Sequence, residues 1–175
     1  MKIPTLETQR LRLRAFRNDD FDPYARFMAD PEVTKFLGGP MARGDAFRSF
    51  TAMIGHWELR GFGPWAVERK SDGAFIGRIG LSFPEDWPAT EVVWTLAREY
   101  WGHGYATEAA RSSLDYGFRK LPLPRLVSMI DPDNRGSQRV AERLGQIKKS
   151  RETLTVFGKS YPVDLWEITR ERWSN

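Results

Sequence analysis

The chain has 175 residues and a formal charge of +4, from 27 lysines and arginines against 23 aspartates and glutamates. Its content of 41% hydrophobic and 13% aromatic residues excludes a disordered chain and allows a sizeable core in one domain over residues 1–175. The absence of cysteine excludes disulfides, thiolate metal sites and an acyl-cysteine intermediate.

The first half of the chain predicts one strand and several helices. Residues 10–16 alternate arginine with apolar residues, which is typical of a half-exposed strand. A helix is expected over residues 18–30, and a short helical connection over residues 31–37. A longer helix is predicted over residues 43–60, where aromatic and aliphatic residues recur at helical spacing and Gly61 provides a stop.

The second half predicts a meander, a strand-helix-strand unit and a closing hairpin. The expected elements are strands over 64–69, 75–82 and 90–96, a helix ending near Lys120, a strand over 125–130, a helix after Asn134, and strands over 147–157 and 161–169. Short connections predict antiparallel pairing, whereas a crossover helix predicts a parallel pair. The predicted fold class is α/β, a single-domain mixed sheet with an antiparallel N-terminal part and a parallel strand pair flanked by helices.

Membrane spans and nucleic-acid binding find little support in the sequence. No run approaches the ~20 apolar residues that a span requires, and residues 1–5 lack the apolar core of a secretion signal, so a cytoplasmic location is expected. The small positive surplus is scattered, without a basic stripe interleaved with aromatics, so nucleic acid is not expected as the substrate.

Residues 99–109, Glu-Tyr-Trp-Gly-His-Gly-Tyr-Ala-Thr-Glu-Ala, join a predicted strand to a predicted helix. A strand that turns through two glycines into a helix presents unpaired N–H groups at the positive end of the helix dipole, and such a cluster binds phosphate. A P-loop would need Gly-Lys-Ser or Gly-Lys-Thr where Gly104-Tyr105-Ala106 stands, and a dinucleotide fingerprint would need a small residue at Thr107. The pattern predicts a diphosphate held by main-chain amides alone.

This block resembles the GNAT superfamily of coenzyme A-dependent N-acyltransferases, and most closely the RimJ/RimL branch, which acetylates ribosomal-protein N-termini and small amines. Residues 134–145 are similar to the Asn-x-x-Ser-x-x-Val element of that branch. Residues 6–14 look like its first strand. The three blocks occur in the order of the family and cover nearly the whole chain.

The resemblance implies an acetyl-CoA-dependent N-acetyltransferase that transfers the acetyl group directly to a primary amine, on a protein N-terminus or a small molecule. It implies that the strand before the turn offers main-chain hydrogen bonds to the pantetheine arm and to the thioester oxygen, and that the turn holds the phosphates. The cofactor-binding residues implied in this way are Trp94, Thr95, Leu96, Trp101, Gly102, His103, Gly104, Tyr105, Ala106 and Asn134.

Two residues are catalytic candidates. The tyrosine that protonates the leaving thiolate in many relatives falls on Ala141, so Ser137 is the replacement candidate for this acid, although a serine at a helix entrance also serves as an N-cap. Glu91 lies on the strand leading to the thioester and is the candidate base through a water chain, unless it is only a solvent-facing strand residue. No metal site is predicted.

Two other functions remain open. One is a catalytically idle acyl-CoA-binding or regulatory module, favoured by Ala141 and by Glu99, where the superfamily has Gln or Arg. The other is an RNA- or ribosome-associated binding protein, favoured by the basic balance. The acceptor is not identified, since the regions that would select it, residues 36–63 and 150–161, carry the fewest motifs. A homodimer also stays open.

Overall fold

The described strands form one mixed sheet. The computed structural model describes residues 2–156 and 158–174. The strands are β1 (Leu6–Glu7), β2 (Leu11–Arg14), β3 (Pro64–Arg69), β4 (Phe75–Ser82), β5 (Glu91–Leu96), β6 (Arg125–Ile130), β7 (Ile147–Val156) and β8 (Lys159–Thr169). The helices are α1 (Phe21–Met28), α2 (Pro31–Thr34), α3 (Arg43–Arg60), α4 (Tyr105–Lys120), α5 (Arg135–Arg143) and α6 (Arg170–Ser174). Over the described ranges, no helix is both long and apolar enough to traverse a bilayer.

The strand order is β1-β2-β3-β4-β5-β6-β8-β7. Neighbouring strands are antiparallel except β5 and β6, which run parallel and are connected through α4. The predicted fold class, a mixed sheet with one parallel pair flanked by helices, is therefore confirmed.

Elements with a strong local pattern lie where the sequence predicts them. The strands β3, β4 and β6 have the predicted bounds, and α3 ends at Arg60, followed by Gly61, whose φ of 77° is the left-handed conformation of a glycine stop. The hairpin of β7 and β8 is present, with β7 described as far as Val156. Phe157, where the prediction ends that strand, lies outside the described residues.

The first predicted strand differs from the observed one. It is shorter, covering only Leu11–Arg14, and Arg14 is buried rather than on an exposed face. The Arg14 guanidinium donates to Asp20 (Nη1 to Oδ2, 2.7 Å) and to Glu68 (Nε to Oε2, 2.6 Å). These two carboxylates compensate the buried charge, and an alternation of polar and apolar letters cannot reveal partners so distant in sequence.

Two packed clusters position the ends of the sheet. The larger one joins α4 and the second half of α3 to the sheet through buried residues that include Trp57, Trp65 and Leu114. The smaller one packs α1, α2 and the first half of α3 around Tyr24 and Phe50. Burying side chains of this size is worth about 1.5–3 kcal/mol each, and the smaller cluster holds α2 beside the end of β5.

The strands β5 and β6 separate almost as soon as they meet. Among the described residues a single pair, Glu91 opposite Val127, joins them in register. Beyond it, side chains replace the main-chain ladder: Met129 N–H donates to the Glu91 carboxylate (2.9 Å), and the Ser128 hydroxyl donates to the Val92 carbonyl (2.9 Å). The sheet is therefore open along the rest of β5.

Candidate active site

A cleft of about 700 Å³ lies at the C-terminal end of β5. Its walls are the last residues of β5, the turn before α4 with the first turn of that helix, one face of α5, and the segment from α2 to Leu37. A more open depression of about 800 Å³ lies against residues 118–124 and 169–171. That depression contains no residue predicted for the site, so the cleft beside β5 is the candidate active site.

Most of the residues predicted for the site line this cleft. They are Trp94, Thr95, Leu96, Trp101, Gly102, Gly104, Tyr105, Ala106, Asn134 and Ser137. Glu91 and His103 are not among its lining residues. The cleft thus brings together three segments that lie up to 43 residues apart in the sequence, as the hydrogen bond between Trp94 and Ser137 illustrates.

The turn before α4 presents free amides to the cleft. Gly102 and Gly104 have φ values of 80° and 78°, which other residues rarely adopt. The first hydrogen bond of the helix runs from Glu108 N–H to the Gly104 carbonyl (3.0 Å). The N–H groups of residues 105–107 therefore have no partner within the helix, and they lie at the positive end of its dipole.

The Ser137 hydroxyl accepts a hydrogen bond through its oxygen and keeps its proton available to the cleft. The helix cap is Asn134, whose Oδ1 accepts from Ser137 N–H (3.0 Å), so the alternative in which Ser137 caps α5 is wrong. The Ser137 Oγ accepts from the Trp94 indole N–H (3.1 Å). Because one lone pair of Oγ is occupied by that donor, the hydroxyl proton is left to be donated to another group in the cleft.

The Glu91 carboxylate lies between the two separating strands. Its oxygens accept from Met129 N–H and from the Trp87 indole N–H, each at 2.9 Å. Burial raises the pKa of Glu91, and these two donors oppose the rise only in part. The carboxylate therefore connects β5 to β6 at the point where the sheet opens. Since Glu91 does not line the cleft, a role as base requires water to connect it to the cleft.

The sequence reasoning missed several charged residues of the cleft. Arg139 and Arg143 lie one turn apart on the face of α5 that lines it, and α2 contributes Glu32 and Lys35. The α5 pair could have been found, because Gly136, Arg139 and Arg143 follow helical spacing after the capping Asn134. The four-residue helix α2 has no such periodicity.

Positive charge dominates the cleft. Four basic residues line it, Lys35, Arg135, Arg139 and Arg143, against two acidic ones, Glu32 and Asp133. In the described part of the chain, the side chains of Arg139 and Arg143 form no ion pair, and both are exposed. Such a surface favours an anionic ligand.

Comparison with known proteins gives a consistent family. A sequence model described as acetyltransferase (GNAT) domain matches residues 10–146. The uncharacterized protein YkkB of Bacillus subtilis (strain 168) is 34% identical over 170 residues, covering 89% of this chain and 96% of its own length. An uncharacterized N-acetyltransferase, p20 of Bacillus licheniformis, is 32% identical over 177 residues, covering 98% and 99%.

A solved structure agrees with these relatives. The crystal structure of an acetyltransferase from Agrobacterium tumefaciens str. C58 superposes with a TM-score of 0.83 at 34% identity, covering 96% of this chain and 95% of that one. GNAT enzymes use acetyl-CoA and act on amines, so the chain is an acyltransferase. With the match over residues 10–146 and the shared fold, the chain belongs to the GNAT acetyltransferase family.

Proposed function

We propose that this protein transfers an acetyl group from acetyl-CoA directly to a primary amine, either the α-amine of a protein N-terminus or a small-molecule amine. The observation that carries the proposal is the set of N–H groups at residues 105–107, which have no partner within the described helix and line the cleft at the start of α4. A single domain over residues 1–175, membership of the RimJ/RimL-like branch and a cytoplasmic location belong to the same proposal.

The residues of the cleft fit coenzyme A. The amides of the glycine turn and the unpaired guanidinium groups of Arg139 and Arg143 suit its phosphates. The hydroxyl oxygen of Thr107 is buried and has no hydrogen-bond partner among the described residues, and an unsatisfied polar atom of this kind is what a missing ligand leaves behind. The open edge of β5 over residues 94–96 and the Asn134 side-chain NH2 suit the amides of the pantetheine arm.

Bound acetyl-CoA supplies the acetyl thioester, and the chain's own residues handle the protons. The acceptor must lose a proton before it attacks, since a lysine-type amine has a pKa of about 10.4 and an α-amine one of about 8. We assign this proton to Glu91 through water, because Glu91 lies at the opening of the sheet and burial raises its pKa above that of an ordinary glutamate, which makes it a stronger base. As the new C–N bond forms and the C–S bond breaks, Ser137 would donate its proton to the sulfur and take up the second proton that the acceptor nitrogen loses on becoming an amide.

Thermal unfolding with and without ligand tests the proposal. A ligand present at 100 times its Kd stabilises the fold by about 2.7 kcal/mol, which raises Tm by roughly 5–10 °C in a chain of this size. We expect this rise with coenzyme A and acetyl-CoA. The absence of any rise would overturn the proposal.

A second measurement separates transfer from binding alone. Release of free coenzyme A thiol is followed with N-terminal peptides, polyamines and aminoalkyl compounds as acceptors, and we expect release with one of these classes. Stabilisation by acetyl-CoA without release of coenzyme A thiol in the presence of any acceptor would instead indicate the idle acyl-CoA-binding module. The observation behind that alternative is the buried Ala141, which stands at the position of the family's tyrosine.

A further inference from the structure

Arg10, in the connection between β1 and β2, is bound to the turn before α4. Its backbone N–H and its Nε donate to the two carboxylate oxygens of Glu108, at 2.8 and 2.7 Å. Its Nη1 donates to the His103 carbonyl at 3.0 Å. The guanidinium carbon also lies 4.6 Å from the centre of the Tyr105 ring. One side chain therefore contacts the glycine turn on both sides of Gly104.

The bond to the His103 carbonyl determines the direction of the next amide. In a trans peptide the C=O and the following N–H point in opposite directions. Gly104 lines the cleft, whereas His103 and Arg10 do not. By holding the His103 carbonyl outside, Arg10 turns the Gly104 N–H towards the cleft. Glycine restrains its own backbone less than any other residue, so this orientation needs an external contact.

Glu108 gives Arg10 a second role. A carboxylate in the first turn of α4 would repel a phosphate bound at that helix end. Besides the two donors of Arg10, its Oε1 accepts from the Thr8 hydroxyl at 2.6 Å. Burial acts to raise the pKa of Glu108, but the hydrogen bonds from Thr8 and Arg10 outweigh it and lower the pKa. The carboxylate is thus ionised, and Arg10 compensates its charge.

We propose that Arg10 is a positioning residue of the diphosphate site, which orients the peptide between His103 and Gly104 from 93 residues away in sequence and neutralises Glu108. This inference rests on the proposed function, because the diphosphate is that of coenzyme A. It assigns a role to the first sequence block, residues 6–14, beyond that of an edge strand.

The test compares Arg10→Gln and Arg10→Lys with Arg12→Gln as a matched control. Arg12 has nearly the same side-chain exposure, 42% against 44%, but pairs with Glu7 and Glu68 and does not contact the turn. Affinity for coenzyme A is measured by calorimetry. Affinity for pantetheine, which lacks the diphosphate, is measured by NMR titration, with the Gly104 amide resonance as a direct probe of the turn.

We expect both Arg10 variants to bind coenzyme A at least about tenfold more weakly, which corresponds to about 1.4 kcal/mol. The Gly104 amide resonance should move, and affinity for pantetheine should stay unchanged. Lysine keeps the charge beside Glu108, but its single ammonium cannot also hold the His103 carbonyl. Arg12→Gln should resemble the wild type with both ligands.

Three results would overturn the inference: an Arg10→Gln variant with wild-type affinity, an Arg10→Lys variant with full affinity, or an equal loss for both ligands. Thr8→Val, which removes one donor to Glu108 and leaves Arg10, gives a milder loss by the same reasoning and serves if Arg10→Gln does not fold. A wild-type protein that fails to bind coenzyme A would instead sink the proposed function itself.

Discussion

Ser137 is bound to Trp94 through its hydroxyl oxygen, while Asn134 caps α5 in its place. We therefore predict that Ser137→Ala lowers kcat by about 100-fold, at the lower end of general acid catalysis, and leaves the affinity for coenzyme A unchanged. Steady-state kinetics and calorimetry measure these quantities. Asn134→Ala is the contrasting variant, since loss of the cap should cost about 1 kcal/mol of stability. An unchanged kcat in Ser137→Ala would remove the acid role.

Gly104 is needed for its backbone conformation rather than for space. A Cβ placed there would lie 3.5 Å from the Arg10 guanidinium, which is an ordinary contact. The Gly104 φ of 78°, however, is strained for a β-branched residue. We predict that Gly104→Val loses measurable binding of coenzyme A in calorimetry. Gly73→Val is the matched control, because Gly73 has a similar φ of 72° in the turn between β3 and β4, away from the cleft. It should lose stability and keep its affinity.

Glu91 should make both stability and turnover depend on pH. Its raised folded-state pKa means that the neutral carboxyl is favoured in the fold, so the contribution of Glu91 to stability is fully present below the ordinary glutamate pKa and is lost as pH rises through the raised value. Glu91→Gln cannot ionise. We predict that the Tm of Glu91→Gln, relative to that of the wild type, increases as the pH is raised through this window. Thermal unfolding at several pH values measures this, with Glu85→Gln as the control.

The same variant tests the proposed base. If Glu91 accepts the amine proton, kcat/KM of the wild type rises with pH through its raised pKa, and this limb disappears in Glu91→Gln. If the pH profile of kcat/KM in Glu91→Gln matched that of the wild type while Tm changed, Glu91 would have only a structural role between β5 and β6.

At the scale of elements, α5 combines a capped start with a basic face. Arg139 and Arg143 line the cleft one turn apart, without ion-pair partners in the described chain. We predict that changing both to Gln weakens coenzyme A binding by about tenfold at low salt and by less at high salt, because the exposed charges are screened. Calorimetry at two salt concentrations measures this. Arg119→Gln, on the far end of α4, is the control.

Elements were predictable in proportion to how local their signals are. The strands β3, β4 and β6 and the helices α3 and α4 follow from periodicity, turn residues and a glycine stop. The two-residue strand β1 has too few residues for any period and exists through its pairing with β2. The opening between β5 and β6 depends on a contact from Glu91 to Met129, 38 residues along the chain, which no local pattern encodes.

The same limit applies to the candidate site. Glycines in a strand-to-helix turn can be recognised in the sequence, because the positive φ that such a turn requires is rarely adopted by other residues. The wall formed by residues 32–37 and the contact of Arg10 with His103 and Glu108 cannot be read from the sequence, because charged side chains of these types resemble the many that face solvent. These parts of the site emerge only from the tertiary structure.

At the scale of the whole molecule, a buried ion cluster joins the sheet to the helices of the N-terminal half. The side chains of Arg14 and Glu68 are only 7% and 8% exposed, and Asp20 completes the cluster. We predict that Glu68→Gln lowers the free energy of unfolding by about 3 kcal/mol, because a buried guanidinium loses a charged partner. Chemical denaturation measures this value. Glu7→Gln removes an exposed carboxylate that also pairs with Arg12 and should have a smaller effect.

The opening between β5 and β6 has one more consequence, which concerns solvent exchange. Backbone groups that face the gap lack a neighbouring strand, so their hydrogens should exchange with solvent faster than those in the ladder between β4 and β5. A ligand whose own amides enter the gap would act as a guest strand. Hydrogen–deuterium exchange at residues 93–96 should therefore slow when such a ligand occupies the cleft. The exchange rate of these amides thus reports ligand binding even when the acceptor amine is not known.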